Sequence, residues 1–175
     1  MNILAISGRL RRASTNMALL MALAAQASPP LQITVFAGWA QLPPFNPDHE
    51  GPLTSDAVLD FARTVARVEG IIIACPEYVH ALPGAFKNAI DWLVSGQEII
   101  HKPIALLHAS RRGADVLADL RRVLGTVSNR FAADIFAQFN LTSLSPHAVA
   151  EVLTAPDHAY TQSRASPVNA PKPAP

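Results

Sequence analysis

Ile71-Ile72-Ile73-Ala74-Cys75-Pro76-Glu77-Tyr78-Val79-His80-Ala81-Leu82-Pro83-Gly84 carries a strand, a loop and a helix start in fourteen consecutive residues. Ile71 to Ala74 is short, continuous and β-branched, as strands of a parallel sheet covered on both faces tend to be. Pro76 cannot donate to a ladder, so the strand stops before it and leaves at a fixed angle. Pro83 suits the first turn of a helix, where its missing N–H leaves no bond unmade. Phe86, Ile90, Leu93 and Val94 then form that helix's buried face.

The same alternation runs along most of the chain. Asn2 to Ile6 reads as a buried strand, and Asn16 to Ala27 as an Ala/Leu/Met-rich helix packed on a sheet or on another subunit. Leu31 to Phe36 has apolar residues at period two and reads as a strand. Leu42-Pro43-Pro44-Phe45-Asn46-Pro47 reads as a rigid, non-helical loop. Thr54 or Ser55 can cap the next helix, where Val58, Phe61, Val65 and Val68 share a face and Gly70 is the stop. Pro103 to His108 is a fourth strand. Val116, Leu117, Leu120, Val123 and Leu124 mark a further helix, and a weaker strand falls within residues 133–139. Strands alternating with helices imply a parallel sheet wrapped on both sides, because parallel neighbours need crossover helices. From about Thr154 proline, alanine and serine dominate, so residues 1–153 are expected to form one domain and 154–175 a disordered tail.

Composition narrows the class. A chain of 175 residues, half of them hydrophobic and 15% charged, is globular and long enough for one real core. A formal net charge of +1 gives no reason to expect nucleic acid or an anionic membrane as partner. One cysteine, Cys75, excludes an internal disulfide and fits a reducing compartment. Arg9, Arg11 and Arg12 before the apolar run Met17 to Ala25 imitate a signal peptide, but the strand-like opening Asn2 to Ile6 argues against one. No apolar run reaches membrane-spanning length. The expected location is cytoplasmic.

In open α/β sheets, ligands bind at the carboxyl ends of strands where strand order reverses. Three loops leave such ends. The first, Ser7 to Asn16, combines Gly8 with hydroxyl and amide groups (Ser7, Ser14, Thr15, Asn16), three arginines and a helix N-terminus. A phosphate monoester is its natural guest. It reads equally as a polar turn capped by Ser14 or Thr15, and it is no Walker loop, because the Gly-Lys-Ser/Thr ending is missing. The second, Pro76 to Gly84, is stiff and carries Tyr78, which could lie beside a planar ligand; a plain strand-to-helix connection is its simpler reading. The third, Ala109-Ser110-Arg111-Arg112-Gly113, again joins a small polar residue, cations and a glycine at a helix start.

Pro76-Glu77-Tyr78, followed by Pro83-Gly84-Ala85-Phe86-Lys87-Asn88-Ala89-Ile90-Asp91-Trp92, resembles the signature of the NADPH-dependent FMN reductase family, whose relatives include quinone, azo and chromate reductases. The first loop is similar to that family's Gly-Ser-Leu-Arg-x-x-Ser-x-Asn phosphate loop. Lys102-Pro103 with Ser110 and Gly113 resembles a third stretch, so the likeness covers residues 2–125. It implies a flavodoxin-like three-layer sandwich with a five-stranded parallel sheet. It also implies bound FMN that takes electrons from NADPH or NADH and passes them to a small acceptor such as a quinone, a flavin or an azo compound.

The cofactor contacts implied in the first loop are Ser7, Arg9, Leu10, Arg11, Ser14, Thr15 and Asn16, with the phosphate held chiefly by Arg9, Arg11, Ser14 and Asn16. Pro76, Glu77, Tyr78 and Val79 would border the flavin ring, and Ser110, Arg111 and Gly113 would close the other side. No catalytic acid or base is implied. A homodimer or homotetramer is expected. Three positions depart from the family pattern: Arg9 stands for serine, Val79 for asparagine, and Ala114-Asp115 for glycines. A flavodoxin-type electron carrier and a relative without flavin chemistry are the alternatives.

Other reactive residues have simpler readings. Cys75 is expected to be buried and inert. The six histidines show no paired ligand spacing, so no metal is expected; His80 alone lies in a site loop. Lys87 and Asp91 form an i,i+4 surface pair, and Trp92 belongs to the core or a subunit interface.

Overall fold

The computed structural model describes residues 1–11, 14–108, 113–130 and 136–138. In chain order the elements are β1 (Asn2–Ser7), α1 (Thr15–Gln26), β2 (Gln32–Phe36), α2 (Asp56–Ala66), β3 (Gly70–Ala74), α3 (Gly84–Asp91), β4 (Ile104–His108), α4 (Ala114–Val127) and β5 (Phe136–Gln138). The fold is flavodoxin-like α/β. Four strands of five or six residues make the body of a parallel sheet, and the three-residue β5 pairs with β4 at one edge. The order is β2-β1-β3-β4-β5. The chain therefore moves one way from β1 to β2 and the other way from β1 to β3, which opens the crevice between β1 and β3.

The period-two alternation of the strands divides the core. Leu4, Ile6, Ile71, Ile73, Ile104 and Leu106 face α2, α3 and α4 through Phe61, Val65, Phe86, Ile90, Leu120 and Leu124. Ile3, Ala5, Ile72, Ala74, Ala105 and Leu107 face the other way, where Leu19, Leu20 and Leu23 of α1 cover them. Helices thus lie on both sides of the sheet, as the β-branched run at Ile71 requires: all five residues of β3 are buried. Only one face of α1 is used, and Met21 stays 55% exposed.

Several boundaries differ from the sequence reading. α2 ends at Ala66, so Val68 packs on the core from the following turn and Gly70 opens β3 instead of stopping the helix. α3 ends at Asp91, which leaves Val94 beyond the helix and exposed. The Pro-rich loop stays non-helical through Asn46, but Pro47 opens a short 3-10 turn that Asn46 caps. Lys102 acts as a fastener, since its Nζ donates to the carbonyls of Ala66 (2.9 Å) and Val68 and so closes the end of α2. The expected tail, residues 154–175, lies outside the described residues.

Among the described residues, no helix is long and apolar enough to cross a membrane. Leu20 is fully buried between α1 and the sheet. Leu20→Ala is expected to cost about 2–5 kcal/mol, read as a lower urea midpoint with an unchanged slope.

Candidate functional site

The first two expected loops meet at the crevice. β1 and β3 pair in register from Ile3 with Gly70 to Ser7 with Ala74, so their carboxyl ends lie side by side. One more bond continues past the strand, from Gly8 N to Ala74 O at 2.8 Å. A Cβ on Gly8 would sit 2.5 Å from Cys75 Sγ, so glycine is required for this close approach. Ser7 is fully buried, and its Oγ accepts from Arg9 N at 3.4 Å. The chain then crosses toward the second loop, where the Arg9 guanidinium lies 5.7 Å from the centre of the Tyr78 ring. Leu10 and Arg11 stand in solvent.

Ser14 is the N-cap of α1, its Oγ accepting from Met17 N at 3.2 Å. That bond uses a lone pair and leaves the hydroxyl hydrogen free to donate. Among the described residues, nothing accepts from the N–H groups of Thr15 or Asn16 in the same turn. Among the described residues, Arg9 Nε is buried without a hydrogen-bond partner. The open N–H groups and free hydroxyl at the start of α1 are the donors an anionic phosphate needs, and Arg9 and Arg11 precede them in the same loop. These residues fit the FMN phosphate.

The second loop is built as a tight turn. Tyr78 and Ala81 exchange N–H···O bonds at 2.9 and 3.0 Å, and the two residues between them, Val79 and His80, have φ of 51° and 60°. Positive φ at both central positions is type I′ geometry, normally supplied by Asn-Gly. For a β-branched valine it is an outlier, costing on the order of 1–3 kcal/mol. Val79 is 96% exposed, so no packing within the chain offsets that cost. Leu10 in the first loop and Tyr78 in the second are exposed as well.

The start of α4 grips this loop at three points. Glu77 Oε2 accepts from Val116 N at 3.2 Å, His80 Nδ1 lies 2.7 Å from Asp115 Oδ2, and Asp119 Oδ2 accepts from Leu82 N at 3.3 Å. Gly113, with φ 122°, makes the turn into α4 that only glycine takes easily. Glu77, His80 and Asp115 each place one ligand-type atom within 4.8 Å of the others. The 2.7 Å contact between His80 and Asp115 is a hydrogen bond, shorter than the roughly 3.3 Å between two ligands of one tetrahedral zinc.

Of the expected site residues, Ser7 ends β1 beside Ala74 of β3, and Ser14, Thr15 and Asn16 stand at the start of α1. Among those described, Arg9 alone reaches the second loop, at Tyr78; Gly113 precedes α4. Ser110 and Arg111 lie outside the described residues. The i,i+4 spacing of Asp115 and Asp119 on one helix face was the available signal for the grip, but nothing in it pointed to the second loop.

The long sequence signature proves largely architectural. Asn88 accepts from Phe45 N (2.6 Å) through Oδ1 and donates to Pro43 O (2.9 Å) through Nδ2. Trp92 Nε1 donates to the same carbonyl at 2.8 Å, and its ring meets Phe45 edge-on at 5.0 Å. Asn88 of α3 and Trp92, which caps its end, lie four residues apart and fasten the Pro-rich loop. Lys87 pairs with Asp91 as expected.

This fold is shared with known proteins. The profile of the NADPH-dependent FMN reductase family matches residues 1–141, and the chain belongs to that family. It is 33% identical to an NADPH azoreductase of Bacillus sp. (strain OY1-2) over 59% of this chain and 57% of that one. It is 29% identical to a quinone reductase of Escherichia coli (strain K12), over 71% of this chain and 69% of the relative. The matches therefore span a little over half to about two thirds of these relatives. Among solved structures, the flavoenzyme FerB, an NAD(P)H:(acceptor) oxidoreductase from Paracoccus denitrificans, superposes with a TM-score of 0.65 at 23% identity. That match covers 87% of this chain and 90% of FerB.

Cys75 directly follows β3, close against Gly8, where burial pushes its thiol from the ordinary 9.0 up to about 12. A raised pKa means the folded state holds the proton more tightly than the unfolded one. Its contribution to stability is thus complete below about pH 9 and lost progressively between about 9 and 12. Cys75→Ala should therefore flatten the decline in unfolding free energy between about pH 8 and pH 10.5 by about 2 kcal/mol, measured by urea unfolding. The native thiol should also resist a disulfide reagent at about pH 8.

Proposed function

We propose that the protein is an NAD(P)H-dependent, FMN-containing reductase that passes electrons from a nicotinamide cofactor to small acceptors, among them quinones, flavins or azo compounds. The observation that carries the reading is the unspent donor set at the start of α1, in a loop whose Arg9 reaches Tyr78 of the second loop.

Arg9, Arg11, Ser14, Thr15 and Asn16 would hold the phosphate. The peptide groups of Pro76, Glu77, Tyr78 and Val79 would border the ring, with Gly113 and the neighbouring Ser110 and Arg111 on the remaining side. Bound FMN would supply the redox chemistry, accepting hydride equivalents from NADPH or NADH and delivering electrons to the acceptor. The chain's own part is to bind, orient and shield. Burial keeps the Cys75 thiol protonated and out of the reaction. The exposed side chains of Leu10, Tyr78 and Val79 would offer apolar surface to a flat acceptor. No side chain is assigned as acid or base. We further infer a cytoplasmic homodimer or homotetramer, in which exposed apolar residues such as Met21 would be covered.

The test is to load the purified protein with FMN, remove the excess and record the visible spectrum before and after anaerobic NADPH or NADH. Stoichiometric flavin that bleaches is the expected outcome. Flavin that stays oxidised with both nucleotides would mean an electron carrier instead, and no retained flavin would sink the reading. Arg9→Ser should weaken FMN about tenfold while leaving riboflavin within about twofold, because only FMN carries the anion.

A further inference from the structure

The structure joins Asp115, at the start of α4, to the strained turn that holds Val79. Val79 and His80 occupy left-handed backbone conformations, Val79 has almost no contact of its own, and the neighbouring His80 is hydrogen-bonded to Asp115. The flanking residues are held from the same helix, Glu77 by the N–H of Val116 and Leu82 by the carboxylate of Asp119. A turn with a β-branched residue at positive φ relaxes toward other conformations unless its surroundings over-determine it. Here the over-determination comes from three anchors within five residues of α4, and of these the Asp115 contact alone reaches a central residue of the turn.

We propose that Asp115 is a positioning residue. Through His80 it holds the Tyr78–Ala81 turn in its strained type I′ form before any ligand arrives, so that the peptide groups meant for the flavin ring are already in place. Asparagine adopts positive φ with little penalty, so a turn with asparagine at this position has no need of the clamp. Valine creates the need and Asp115 meets it. The link to flavin rests on the proposed function; the clamp itself does not.

The experiment compares the natural chain with Asp115→Ala, Val79→Asn and the double variant. Exchange of the Ala81 amide hydrogen, followed by NMR without flavin, reports the turn directly. FMN titration by fluorescence quenching reports its consequence. Asp115 is more than half exposed, so Asp115→Ala should fold with an unchanged thermal midpoint. It should speed Ala81 exchange by about fivefold to thirtyfold and weaken FMN by a similar factor. Adding Val79→Asn should return both quantities to within about twofold of the natural chain, a rescue that a general loss of helix stability would not produce.

Unchanged exchange in Asp115→Ala overturns the proposal, and so does a double variant no better than the single one. If the natural chain takes up no FMN, the exchange measurement still decides the clamp, and only the cofactor reading falls.

Discussion

The parallel pairing of β1 with β3 is the constraint on which the rest depends. Five successive registered pairs, Ile3 with Gly70 through Ser7 with Ala74, bring two loops distant in sequence to adjacent points on one edge. The ladder then runs one bond further, to Gly8. That extra bond is possible because Gly8 has no side chain and can lie against Cys75. Cys75 is buried beside it, and Arg9, the next residue, reaches the Tyr78 ring. A parallel sheet needs helices on both faces, so the hydrophobic core and the site share an origin.

α4 supplies the second frame. Its first turns hold the Pro76–Pro83 loop with two carboxylates and a backbone N–H, while α1 offers its own first turn to an anion. The two helices do opposite things with their N-termini. In α1 the N–H groups of Thr15 and Asn16 are left open among the described residues, and in α4 the N–H of Val116 is taken by Glu77 from a neighbouring loop. A helix end left unsatisfied beside arginines is poised for a ligand, and one capped by another loop is a joint. The two loops therefore differ: the first runs into a helix start with open donors, and the second is tied to α4.

The family signature on α3 shows how a specific sequence motif can be separate from chemistry. Asn88 and Trp92 sit a turn apart and bind the backbone of Pro43 and Phe45, so the motif secures the long loop after β2. A loop rich in proline offers few backbone donors and cannot be fixed by a ladder, which leaves its carbonyls to be met by side chains. Such a motif identifies the family because the contacts need those side chains at that spacing.

The alternation of strands and helices, the β-branched core of β3, the buried faces of α2 and α4, and the first two loops at strand ends were legible in the residues, while residues 109–112 of the third lie outside the described residues. Each follows from local periodicity or from residues with one dominant backbone behaviour, such as Pro76 and Gly8. Helix ends were less legible: Val94 continues the apolar spacing of α3 but lies past its end, and Gly70 reads as a stop although it begins a strand, because tertiary packing sets where a helix stops. What the sequence by itself determined is the fold class, the family and the loops that form the crevice. Only the tertiary structure decided that Arg9 crosses to Tyr78, that Val79 and His80 take left-handed conformations, and that Asp115 and Asp119 close on the second loop. Those contacts join residues about 35 to 70 positions apart. No local pattern encodes them, because each exists only after the strands have paired and α4 has docked.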